Sequence, residues 1–134
     1  MKLIHEDISY RIRGGLFDVQ NEVGLGRDEE MYHKAFASWL CEHEIPFYSK
    51  PRHELRLFDT IAHVLYPDFV VADQVVVELK SRSSALKDGD KAQLVNYLKL
   101  RNDRLGLLVN MNGAQLPRPL TKTPVWDKGL SIVS

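Results

Sequence analysis

Two short segments carry residue types that do chemistry at a workable spacing: Pro67-Asp68 and, ten residues after the aspartate, Glu78-Leu79-Lys80. They lie in two β-branched, apolar runs, 61–71 and 75–80, separated by Ala72-Asp73-Gln74. Treated as the arms of a hairpin that turns at Asp73, the runs set Asp68 opposite Glu78, with Cβ atoms about 5 Å apart. Lys80 follows Glu78 by two residues and shares its face. Carboxylates that close repel each other, and burial adds to the cost of ionising both. A divalent cation relieves that cost by taking oxygen from each. An all-oxygen set suits Mg²⁺ or Mn²⁺ rather than zinc. Such an ion polarises a phosphoryl oxygen and acidifies a bound water, while a nearby lysine orients that water or offsets developing negative charge. The competing reading needs no chemistry. It has Asp68 and Lys80 as an ion pair at the sheet rim, with Glu78 solvated at a strand end.

The elements that must position these residues follow from hydrophobic periodicity. Ile8, Ile12, Leu16, Val19 and Val23 mark one face of a helix. Gly14-Gly15 interrupts it, which predicts a bend or a close helix contact, and Gly24-Leu25-Gly26 ends it. A second helix begins with the acids Asp28, Glu29 and Glu30, carries Met31, Ala35, Phe36, Trp39 and Leu40 on one face, and stops by Pro46. Alternation predicts a half-buried strand over 53–58, a turn at Asp59-Thr60, and the hairpin 61–71/75–80 buried on both faces. Residues 83–90 read as a loop, and a third helix over 91–101 turns Leu94, Val95 and Leu98 inward. Residues 105–110 form a continuous apolar strand. Pro117, Pro119 and Pro124 then break regularity before a last short strand near 130–133. The order α, α, β, β, β, α, β requires helices packed on a mixed sheet, an α/β fold.

Length and composition agree with this outline. At 134 residues the chain fits a single domain over 1–134, with 44% hydrophobic and 27% charged residues. Eighteen Lys and Arg balance eighteen Asp and Glu, which excludes charge-driven disorder. No apolar run approaches the length of a membrane span, and Cys41 is alone, so a reducing, cytoplasmic setting without membrane association is expected. The neutral total hides an asymmetry: residues 1–79 carry a net −6 and residues 80–134 a net +6. Bulk charge therefore gives no support to generic nucleic-acid binding, while a local basic surface in the second half remains open.

Pro67-Asp68…Glu78-Leu79-Lys80 resembles the signature of the PD-(D/E)XK nucleases, on the strand pair where that superfamily carries it. Gly24-Leu25-Gly26-Arg27-Asp28-Glu29-Glu30-Met31-Tyr32 resembles the Gly-x-x-Glu-x-x-Tyr signature of the small GxxExxY family, read through Gly26, Glu29 and Tyr32. Residues 92–98 and 106–110 are similar to that family's next helix and strand, so the resemblance extends over roughly 5–112. Leu25 and Pro67 depart from the residues common at those places.

The resemblance implies a restriction-endonuclease-like αβββαβ core, a mixed central sheet flanked by helices. It implies a metal-dependent hydrolase of phosphodiester bonds, with DNA as the expected nucleic acid and a homodimer as one arrangement for cutting both strands. Glu29, Asp68 and Glu78 become ligands of Mg²⁺ or Mn²⁺ with the Leu79 carbonyl beside them, Lys80 the catalytic lysine, and Gln93 a residue near the site. Tyr32, Arg82, Lys87, Lys91 and Tyr97 are the candidates for substrate contact. Each has an ordinary alternative. Glu29 suits a helix N-terminus, Tyr32 suits the core, Gln93 and Tyr97 suit an exposed helix pair, and the cations suit solvent. His33, one turn from Glu29, is placed to approach such a metal, but is expected instead at the surface. A non-catalytic module that binds nucleic acid or protein, and another phosphoryl-transfer enzyme on the same scaffold, are the competing functions.

Overall fold

A computed structural model describes residues 6–101, 105–112 and 129–133. Helix α1, Glu6–Val23, buries Ile12, Leu16 and Val19 on the predicted stripe. Gly15 is a point of close contact: a Cβ there would sit 2.5 Å from the Trp39 ring of the next helix. The helix ends where Gly24 turns to φ +87°, a conformation that costs glycine nothing. Helix α2, Glu29–Glu42, starts at Asp28, whose Oδ1 accepts the Met31 N–H at 2.8 Å. Its buried residues are Tyr32, His33, Phe36 and Leu40, so the inward face is rotated from the expected one and Met31 is exposed.

Strands β1 (Phe47–Ser49), β2 (His53–Leu57), β3 (Thr60–Leu65), β4 (Phe69–Val71) and β5 (Val75–Lys80) follow. Helix α3 (Asp88–Arg101), β6 (Leu105–Asn110) and β7 (Gly129–Val133) complete the chain's described elements. The main sheet runs β1-β4-β5-β6-β7, antiparallel across β1, β4 and β5 and parallel across β5, β6 and β7. One face packs on α1 and α2 through Phe69, Val77, Leu79, Leu107 and Val109. The other packs on α3 through Val70, Val76, Leu94, Leu98 and Leu108. The class is the expected α/β.

Four details differ from that outline. Residues 61–71 are not one strand: Pro67 has no N–H to continue a ladder, the chain bends at Asp68, and β3 pairs instead with β2 in a separate two-stranded sheet. The buried hairpin is therefore β4–β5 alone, while Thr60–His63 are exposed. Between Pro46 and β2 the structure adds β1, a three-residue edge strand on β4. Finally, α3 begins at Asp88 rather than Lys91, and the hairpin turn is Phe58-Asp59 rather than Asp59-Thr60. Of the proline-broken tail, residues 113–128 lie outside the described residues.

Candidate active site

The β4–β5 ladder pairs Phe69 with Val77, Val70 with Val76 and Val71 with Val75, the register expected for a turn at Asp73. Asp68 stands one residue before β4, where the next pair in that register would be Asp68 and Glu78. Their side chains take over from the ladder. Glu78 Oε1 accepts the Asp68 backbone N–H at 2.8 Å, and Asp68 Oδ2 accepts the Leu79 backbone N–H at 2.7 Å. The end of β1 adds a third tie, with the Lys50 N–H donating to the Asp68 carbonyl at 2.9 Å. One oxygen of each carboxylate is thus fixed by the backbone, and Asp68 Oδ1 and Glu78 Oε2 are left to face other partners.

These carboxylates are desolvated. Glu78 is only 5% exposed, which removes the reading of a solvated strand end. Burial first, and then the negative charge of Asp68, push the Glu78 carboxyl up to about 8. Asp68 is also raised by burial, against the Leu79 N–H and the charges of His33 and Lys80 that favour its ionised form. The Lys80 charge favours ionisation of Glu78 as well. Near neutral pH the pair therefore holds a proton that a cation would displace.

His33 corrects the sequence reading. It is 8% exposed, stacked on Phe69 with ring centroids 4.1 Å apart, and its Nε2 shares a 2.7 Å hydrogen bond with Ser49 Oγ. Its Nδ1 is buried without a hydrogen-bond partner, 3.9 Å from Asp68 Oδ1. Burial lowers the His33 pKa. His33, Glu29, Glu30, Lys50, Asp68 and Leu79 line a cavity of about 110 Å³. Glu29 is exposed at its mouth, and its charge reaches Glu78. Only the one-turn spacing from Glu29 pointed to His33; Ser49 and Lys50 carried no signal, because β1 is too short to show alternation.

The remaining candidates separate. Tyr32 is wholly buried, donates to the Gly24 carbonyl at 2.6 Å, and so braces the α1–α2 loop from within rather than meeting solvent. Arg82 is ion-paired with Asp90 and half-buried. Lys87 is exposed and Lys91 partly so, at the start of α3. Gln93 is exposed on α3, in a groove away from the small cavity. The side chain of Tyr97 lies outside the described residues. Asn110, which sequence reasoning passed over, is 3% exposed and clamps the segment after β5: its Nδ2 donates to the Arg82 and Ser84 carbonyls and its Oδ1 accepts the Arg82 N–H at 3.1 Å. The α1–α2 loop docks on the same end of the sheet through Gly26 N–H to Asn112 Oδ1 at 2.7 Å and Ser81 Oγ to the Arg27 carbonyl.

Among the described residues, no three His, Cys, Asp or Glu side chains converge into a set that holds an ion unaided. The donors that do converge, Asp68 and Glu78, are hard oxygens backed by the β5 backbone at Leu79. That set fits a divalent ion such as Mg²⁺, which keeps waters and takes one or two carboxylates together with substrate phosphate. No helix of the described residues is long and apolar enough to cross a membrane. A family model described as the PD-(D/E)XK nuclease superfamily matches residues 6–122. Neither the curated proteins nor the solved structures gave a match.

Proposed function

Starting from a chain that belongs to the PD-(D/E)XK nuclease superfamily, we propose that it is a metal-dependent nuclease that hydrolyses phosphodiester bonds in DNA. The observation that carries this reading is the interlocked pair Asp68 and Glu78, the first partly and the second almost wholly buried, where a simple structural role would leave carboxylates in water. Asp68 and Glu78 would hold Mg²⁺ or Mn²⁺, with the Leu79 carbonyl beside them and Glu29 closing over the cavity mouth. Bound there, the ion supplies a Lewis acid for the phosphoryl oxygen and lowers the pKa of a water. Lys80 orients the attacking water and offsets negative charge as it develops. Within the superfamily we assign the chain to the GxxExxY branch, on Gly26, Glu29 and Tyr32.

The second reading is a module that keeps this fold and binds nucleic acid without cutting it. Its support is the missing third ligand among the described residues. Against it stands the cost of desolvating two adjacent carboxyl groups that a binding surface does not use. Incubating labelled DNA and RNA with the protein and Mg²⁺ or Mn²⁺ separates the two. Cleavage that needs metal and vanishes in Asp68→Asn supports the nuclease, and absence of cleavage across substrates and metals supports the module.

A further inference from the structure

The nuclease reading leaves His33 unused, yet its ring is held as a metal ligand's would be. Phe69, the residue after Asp68, stacks on one face of the imidazole, and the residue is 8% exposed. Nε2 lies 2.7 Å from Ser49 Oγ at the end of β1. Nδ1, on the other side of the ring, is buried and has no hydrogen-bond partner. Asp68 Oδ1, the oxygen of that carboxylate which the Leu79 N–H does not use, stands 3.9 Å away. That is too far for a hydrogen bond.

A buried N–H without a partner is costly. The tautomer that avoids one has its proton on Nε2, donated to Ser49 Oγ, and a lone pair on Nδ1. Metal-bound histidines share this pattern, one nitrogen on the ion and the other donating to a fixed oxygen. The gap to Asp68 also suits an ion. Ligand distances of about 2.1 Å place two donors of one ion at most about 4.2 Å apart, and Nδ1 and Oδ1 at 3.9 Å fall within that reach.

The cavity is built for a small cation. Glu29, Glu30 and Asp68 line it against Lys50, whose Nζ is drawn to Glu30 at 3.5 Å. Its volume of about 110 Å³ holds an ion and a few waters, at about 30 Å³ each, and little more. No three such ligands converge unaided among the described residues, so His33 enters as a donor that an ion recruits. A nitrogen in the set changes which ion it favours. Carboxylate and carbonyl oxygens suit Mg²⁺, whereas imidazole adds affinity for transition-metal ions, rising from Mn²⁺ to Co²⁺.

We propose that His33 Nδ1 is a nitrogen ligand of the ion held by Asp68, and that it turns the site toward Mn²⁺ or Co²⁺ over Mg²⁺. This deepens the nuclease reading and rests on its metal site.

Calorimetric titration of the full chain with Mn²⁺ and with Mg²⁺, each without nucleic acid, tests it, together with pulsed electron paramagnetic resonance of the Mn²⁺ complex. Wild type prefers Mn²⁺ and shows coupling to an imidazole nitrogen. His33→Gln loses that coupling, and its preference for Mn²⁺ over Mg²⁺ falls about tenfold. A histidine that only supports the fold would weaken both ions alike, so an unchanged preference overturns the inference. Ser49→Ala keeps the ring and removes the oxygen that orients it. It also lowers the preference for Mn²⁺ about tenfold while the nitrogen coupling remains. Should His33→Gln fail to fold, an unchanged preference in Ser49→Ala overturns the inference instead. Mn²⁺ bound by wild type without nitrogen coupling overturns it too, and leaves Asp68 and Glu78 as an oxygen-only site with the nuclease reading intact. DNA cleavage by a wild type that captures no Mn²⁺ as free protein likewise removes the nitrogen ligand alone. Neither capture of a metal nor cleavage removes both readings.

Discussion

Asp68 and Glu78 fix one another through the backbone rather than through their own charges. Glu78 Oε1 accepts the Asp68 N–H at 2.8 Å, and Asp68 Oδ2 accepts the N–H of Leu79, the residue after Glu78, at 2.7 Å. The exchange extends the β4–β5 ladder by one step after Pro67 has ended it. It leaves the second oxygen of each carboxylate free of these backbone bonds, at the price of holding two adjacent carboxyl groups in a dry place.

That cost has a pH signature. With its folded pKa at about 8 against an ordinary value of 4.5, Glu78 keeps its proton in the folded state over a range where the unfolded chain has lost it. The contribution to stability is complete below about pH 4.5 and is lost as pH rises through about 8. Metal-free protein therefore melts progressively lower across that window, and Glu78→Gln flattens the fall. Mg²⁺ restores melting temperature most strongly at the alkaline end, where binding no longer competes with a proton. Thermal melts in chelator and in Mg²⁺ across this range provide the check.

Tyr32 is predicted to be a brace. Tyr32→Phe removes the hydroxyl that bonds the Gly24 carbonyl at 2.6 Å and costs about 1 kcal/mol in urea unfolding. Cleavage stays within a few-fold of wild type. Full stability with collapsed turnover would return Tyr32 to the substrate.

Asn110→Ala leaves the Arg82 and Asn112 N–H groups and the Arg82 and Ser84 carbonyls without this partner. Each buried group left unpaired costs about 1–3 kcal/mol, so unfolding free energy falls by about 2 kcal/mol or more. An unchanged denaturation midpoint would show the clamp to be incidental.

Gly15→Ala drives a Cβ to 2.5 Å from the Trp39 ring. Separation of α1 from α2 or a Trp39 rotamer change follows, at about 1–3 kcal/mol, visible as a shift in Trp fluorescence with lowered stability. Full stability and an unchanged spectrum would show that the interface yields freely.

Sequence pattern reached the β4–β5 register because Val75, Val76 and Val77 and their partners leave one turn, at Ala72-Asp73, that closes the hairpin. It also placed α1, the start of α2 and β6, where periodicity runs long enough to select one face. It missed the break at Pro67 because Val64-Leu65-Tyr66 before it and Phe69-Val70-Val71 beyond Asp68 read as one apolar run and mask the change of partner strand. It missed His33 because α2 turns Tyr32 and His33 inward rather than Met31, a rotation set by packing on Phe69. The buried Asn110 gave no signal, since its partners, the backbone of residues 82–84, lie in a loop without periodicity.

The central claim, that Asp68 and Glu78 hold a metal which Lys80 puts to use, is tested most directly by comparing two variants in Mn²⁺ calorimetry and in cleavage of labelled DNA. Lys80→Ala leaves both carboxylates, so Mn²⁺ affinity is kept or rises slightly while cleavage falls roughly a hundredfold or more. Asp68→Asn loses Mn²⁺ binding and cleavage together. Wild type that neither binds Mn²⁺ in the presence of nucleic acid nor cleaves any strand would contradict the account, and so would a Lys80→Ala variant that cleaves as fast as wild type.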